Sequence, residues 1–142
     1  VTKLDPAVDF PLALKRKDLV KSPLGKELDD LTLDAVMSGK VTFDDLRISP
    51  EVLELQAQIA EGVGRIWIAQ NFRRAAELTK VSDERLLEIY NLLRPYRCTK
   101  EEMLAIADEL DDKYKAKVNA EFVRETAEVY EQRGILKREL KG

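Results

Sequence analysis

From Pro50 to Thr79, apolar side chains return every three or four positions, the spacing that lines one face of an α-helix. Val52, Leu55, Ile59, Val63 and Ile66 make one stripe, whereas Ile68, Phe72, Ala75 and Ala76 fall on a different side. Gly62 and Gly64 stand where the stripe changes face, and each weakens a helix by about 1 kcal/mol relative to alanine, so a kink or break is predicted there. Ser49–Pro50 marks the start: the serine oxygen can accept an unpaired backbone N–H, and proline at the first helical position has no N–H to leave unsatisfied. Ser82 opens the next helix, with Asp83 and Glu84 in its first turn and Leu86, Ile89, Tyr90 and Leu93 as its inward stripe; Pro95 ends it. Thr99 and Glu102 match a capping box, and Met103, Ala107, Leu110, Tyr114, Val118 and Phe122 keep helical spacing, which predicts one last helix reaching Gly134.

The first third of the chain reads differently. Pro6, Pro11 and Pro23 forbid a continuous helix over residues 1–31, so this stretch is predicted to be an extended arm. Phe10 and Leu12 give the arm something to bury, on its own domain or on another subunit. Thr32 can cap a short helix that stops at Gly39, and Thr42 a single turn, FDDLR. The expected fold is all-α: an arm over 1–31, then a compact helical domain over 32–142 with two long helices and a helix between them.

Composition supports this and narrows the function. The 142 residues suffice for one core, and 36% charged with 6% aromatic residues suits helices with solvated Glu, Lys and Arg faces. A net charge of −3, with both signs interspersed, provides no positive field for nucleic acid. No apolar run is long enough to span a bilayer, and VTKLDPAVDFPLALKRK lacks a signal peptide's apolar core, so a cytoplasmic protein is expected. A single cysteine, Cys98, excludes an internal disulfide.

The usual catalytic kits are missing. With no histidine, the chain lacks the side chain most used for proton transfer near neutral pH and the commonest metal ligand. One cysteine cannot build a thiolate zinc site, and six scattered glycines make no phosphate loop. Asp108, Glu109, Asp111 and Asp112 lack the loop spacing of a calcium site and fit a solvated helix face. Tyr90, Tyr96, Tyr114 and Tyr130 have no metal or flavin pattern beside them and fit packing roles. No catalytic, cofactor-binding or metal residue is assigned. The best candidates for a functional surface are Arg73, Arg74, Arg94, Tyr96 and Arg97, whose guanidinium and phenol groups can hydrogen-bond partner carboxylates and carbonyls, together with Trp67 in its apolar setting of Ile66 and Ile68. Pairing of these arginines with Glu77, Asp83 or Glu84 is the alternative.

The stretch NFRRAAELTKVSDERLLEIYNLLRPYRCTKEEMLAIADEL at Asn71–Leu110, with RISPE at Arg47–Glu51 and AEFVRETAEVY at Ala120–Tyr130, resembles the small (gamma) subunit of the adenosylcobalamin-dependent diol and glycerol dehydratases. The likeness runs from about Asp9 to about Arg133 and is densest at RAAEL (Arg74–Leu78), LRPYR (Leu93–Arg97) and LAIADEL (Leu104–Leu110). None of these motifs is catalytic; their order and spacing together carry the resemblance. It implies a heterohexamer with two copies each of a large, a medium and a small subunit. The large subunit is a TIM barrel holding substrate, and adenosylcobalamin lies between it and the medium subunit. The implied reaction converts propanediol or glycerol to an aldehyde through an adenosyl radical. The small subunit is expected to pack outside the large one and support assembly, without binding the cofactor alone. A bacterial microcompartment is a further location the resemblance leaves open. The chain lacks the long N-terminal extension of some diol-dehydratase members, a difference that trimming would also produce. A free-standing helical adaptor docking a peptide near Trp67 is the competing function.

Overall fold

The computed structural model describes residues 3–138. Among them are eight α-helices, three short 3-10 turns and no strand beyond an isolated bridge between Lys21 and Glu27, so the protein is all-α. Contacts divide the chain into two units, Val1–Thr79 and Lys80–Gly142.

In the first unit, α1 (Pro6–Asp9) and α2 (Leu12–Lys15) are single turns, as the prolines require. Leu4 and Leu12 are buried against Ile59, with Leu19, Val20 and Leu55 packed around them. The N-terminal stretch therefore has ordered contacts with its own unit. Asp9, itself buried, accepts from the Asp5 backbone N–H at 2.8 Å and pairs with Arg16 at 3.1 Å. Gly62 is a close-approach position: a Cβ there would lie 2.5 Å from Cγ of Pro6.

Thr32 caps α3 (Leu33–Met37) by accepting from the Ala35 N–H. The Thr42 turn, a 3-10 turn over Phe43–Leu46, closes as a reciprocal capping box with Asp45. Asp45 then acts as a hub: it receives the Ser22 hydroxyl at 3.1 Å, the Lys26 ammonium at 2.7 Å and the Thr42 N–H at 3.0 Å. Its side chain is fully buried, with every hydrogen bond favouring the ionised form.

Ser49 caps α4 (Pro50–Gly62), and the chain reverses before α5 (Ile66–Leu78). At the reversal Gly64 takes φ +77°, a left-handed conformation that costs glycine nothing. The Arg65 N–H bonds the Ala60 carbonyl at 2.8 Å and the Gly64 N–H bonds that of Glu61 at 2.9 Å, a Schellman closure of the helix end. The predicted break is thus a full hairpin turn. Ala57, Ala60 and Ala69 are buried with Phe72 in one cluster, where methyl-sized side chains let α4 and α5 approach closely. Arg73 on α5 reaches back to Glu54 and Glu61 on α4, which shows the two helices to be antiparallel.

The second unit holds α6 (Asp83–Leu92), α7 (Lys100–Asp112) and α8 (Lys117–Arg133). Ser82 and the Thr99–Glu102 capping box start α6 and α7 as expected, and Gly134 stops α8. The single last helix expected from periodicity is, however, two helices. The chain turns at 113–116, where Lys115 takes φ +56° and the Ala116 N–H bonds the Leu110 carbonyl at 2.8 Å. No glycine or proline marks this turn, so apolar spacing ran across it unbroken. The turn also resets the helix phase. Met103, Ala107 and Leu110 are buried as predicted, but in α8 the inward positions are Asn119, Ala120, Val123 and Ala127, while Val118 and Phe122 face solvent. Arg124 bonds Asp108 at 2.9 Å and Lys100 pairs with Glu131, so α7 and α8 run antiparallel. A fork from Arg85 to Glu109 joins α6 to α7.

Two outcomes follow from these cores. Leu110 is 2% exposed, so Leu110→Ala should cost about 2–5 kcal/mol of stability, measured by chemical denaturation. The Asp45 carboxyl is held down to about 2 from 3.8, chiefly by Lys26 and the Thr42 N–H. Because its folded value lies below its unfolded one, the stabilisation it provides is complete above about pH 4 and is lost as pH falls towards 2. An acid titration of Asp45→Asn should lack this loss; an unchanged acid transition would mean that the hub does not hold the fold.

Candidate functional site

The six surface candidates divide between the units. Trp67, Arg73 and Arg74 lie on α5, and Arg94, Tyr96 and Arg97 on the connector between α6 and α7.

On α5, Trp67 is 81% exposed, with Ile66 at 45% and Ile68 at 42%. Three adjacent apolar residues at a helix start cannot all turn inward, because successive positions are about 100° apart. Arg74 lies seven residues on from Trp67 and so shares its face; its guanidinium bonds Asn71 one turn back. Arg73 faces α4 and is clamped by Glu54 at 3.3 Å and Glu61 at 2.7 Å, which push its pKa up while Arg73 holds the Glu61 carboxyl down. Its carboxylate partners are therefore in its own unit, on a helix 12 to 19 residues upstream, and not the nearer acids considered from sequence.

The connector is held rigidly. Tyr96 takes φ +66°, and its N–H bonds the Ile135 carbonyl at 2.8 Å. The Lys137 N–H bonds the Cys98 carbonyl at 2.8 Å, and the Tyr130 hydroxyl donates to the Leu93 carbonyl at 3.0 Å. The segment after α8 thus pins the loop from behind, while the Tyr96 ring is 59% exposed and Arg94 and Arg97 are also exposed. Tyr96 is left-handed without being glycine, a conformation that costs about 1 kcal/mol and persists only where surrounding bonds enforce it.

Two apolar features escaped the sequence reading. Tyr90, expected inside, is 68% exposed, and Leu87 one turn earlier is 64% exposed. They form an outward pair on α6 at i, i+3 spacing, the same signal that marks an inward face. The second is a cleft of about 670 Å³ in the first unit. Pro6, Phe10 and Pro11 make one wall and Ile59, Ile68 and Phe72 the other; Gln56 and Arg65 are its polar lining. Its walls come from segments 50 residues apart, so sequence spacing could not show it.

No group of three or more His, Cys, Asp or Glu that could hold a metal exists among the described residues. No helix there is long and apolar enough to cross a membrane. Cys98 is buried, and burial pushes its thiol pKa up, away from the reactive thiolate. What the surface offers is apolar stripes and fixed polar loops. Large apolar side chains left outward on helical hairpins mark candidate contact surfaces.

The chain belongs to the dehydratase small-subunit family, whose model matches residues 6–137. It is 59% identical over 129 residues to the propanediol dehydratase small subunit of Salmonella typhimurium, a match covering 91% of this chain and 75% of that protein. Identity to the propanediol dehydratase small subunit of Citrobacter freundii is 57%, with the same coverage. A dehydratase small subunit is one component of a multi-subunit lyase, and this chain is a subunit of that class.

The connector geometry gives a test of its role. Tyr96→Gly relieves the left-handed strain while adding glycine's unfolded-state freedom, each about 1 kcal/mol, so the melting temperature should hold while retention in the assembled enzyme falls. A chain unfolded by this change would make Tyr96 a structural residue instead.

Proposed function

We propose that this chain is the noncatalytic small subunit of an adenosylcobalamin-dependent dehydratase that converts propanediol or glycerol to an aldehyde and water. The observation carrying the proposal is its 59% and 57% identity to two propanediol dehydratase small subunits across nearly its whole length. In this reading the chain packs on the large catalytic subunit, in a heterohexamer with two copies each of large, medium and small subunits. The N-terminal arm, residues 1–31, expected from sequence to be extended, and the helical domain, residues 32–142, act together as a docking scaffold. Trp67, Arg94, Tyr96 and Arg97 are the contact residues we assign, with Arg74 beside Trp67; Arg73 contributes by bracing the α4–α5 hairpin.

In this proposal the chain binds no cofactor alone, and cofactor and substrate belong to the larger subunits. The complex is assigned to the cytoplasm, either free or inside a bacterial microcompartment.

Native mass spectrometry of the tagged chain, purified from its own host grown on propanediol or glycerol, tests the proposal. The expected result is a complex with two other subunit types and cobalamin. Recovery of the chain alone, from cells with active dehydratase, would return the free-standing adaptor to first place.

A further inference from the structure

The cleft between the N-terminal stretch and the α4–α5 hairpin has a wall that is apolar apart from Gln56 and Arg65, and exposed apolar residues line it: Phe10 is 62% exposed, Val63 57% and Ile68 42%. Its volume of about 670 Å³ lies within the range of ligand clefts, about 300–1,000 Å³, which is ample for a few apolar side chains. A small polyol would find only one amide and one guanidinium to replace its hydration, so a polar substrate is a poor guest.

Arg65 sets the chemistry of the occupant. Arg16, Arg73, Arg85 and Arg124 each hold carboxylates of their own unit. Arg65, on the cleft wall, takes no carboxylate partner among the described residues and is exposed. An unpaired cation beside apolar walls is complementary to a carboxylate flanked by apolar side chains.

We infer that this cleft receives an apolar segment of one of the larger dehydratase subunits, with an Asp or Glu of that segment set against Arg65. The inference rests on the subunit reading above and adds to it the face and the chemistry of contact. The N-terminal stretch has a function here: it is one wall of the seat, braced by the Asp9–Arg16 pair and by the close fit of Pro6 on Gly62.

The test uses the three subunits co-expressed from their native source, with a tag on this chain. Arg65→Glu and Ile68→Glu should each lower co-purification of the larger subunits about tenfold while leaving the helical circular-dichroism spectrum unchanged, since each sets a carboxylate into the contact. A photo-crosslinking residue at Val63 should trap a larger subunit at an apolar stretch containing Asp or Glu, and reversing that acid to lysine should restore binding to Arg65→Glu. Wild-type recovery of both variants, or a crosslink to a second copy of this chain, would overturn the cleft assignment and leave the subunit reading intact. Failure of the wild-type chain itself to recover the larger subunits would overturn both.

Discussion

Two reversals of chain direction, at Gly64 and at Lys115, govern what this protein can bury. Each divides a long helical stretch into an antiparallel pair: the first closes on Ala57, Ala60 and Ala69, whereas the second buries Met103, Ile106, Leu110 and Val123 beside Ala107, Ala120 and Ala127. Methyl-sized contacts bring the first pair close but bury little area per residue. Ion pairs add ties: Arg73 with Glu54 and Glu61 across the first hairpin, Arg124 with Asp108 and Asp111 across the second, and Arg85 with Glu109 from α6 to α7. As exposed or half-exposed pairs, these fix alignment more than they add stability.

The same economy leaves Leu87, Tyr90, Val63, Trp67, Ile68, Val118 and Phe122 facing outward. Contiguous apolar surface of this kind is uncommon on a self-sufficient domain and common on a subunit of a larger assembly. Both surfaces are held from within. The Tyr96 connector is fixed by backbone bonds from the segment after α8, and the N-terminal stretch by buried leucines and Asp9.

Membership in the dehydratase small-subunit family makes this chain one component of a multi-subunit enzyme. Many of its described acidic side chains are engaged within their own unit, as with Glu61 on Arg73 and Glu109 on Arg85, and its one thiol is buried.

Helix type, most helix starts and the first break were legible in the sequence because each is set by local chemistry: Ser49–Pro50, Ser82, the Thr99–Glu102 box, and glycine at 64 and 134 satisfy or release backbone groups within a few residues. Arg94, Tyr96 and Arg97 are exposed on the connector, where charged and amphipathic groups keep their polar ends in water, whereas the exposure of Trp67 was not decided by its local pattern. The turn at Lys115 was not, because a lysine reaches the left-handed region only when the packed helices on either side favour it. Tertiary structure alone decided which helical stripe faced inward, that Arg73 is bound by Glu54 and Glu61, and that Phe10 and Phe72 enclose one cleft. Periodicity records that a face is apolar; only the placement of distant segments determines whether the protein or its partner covers it.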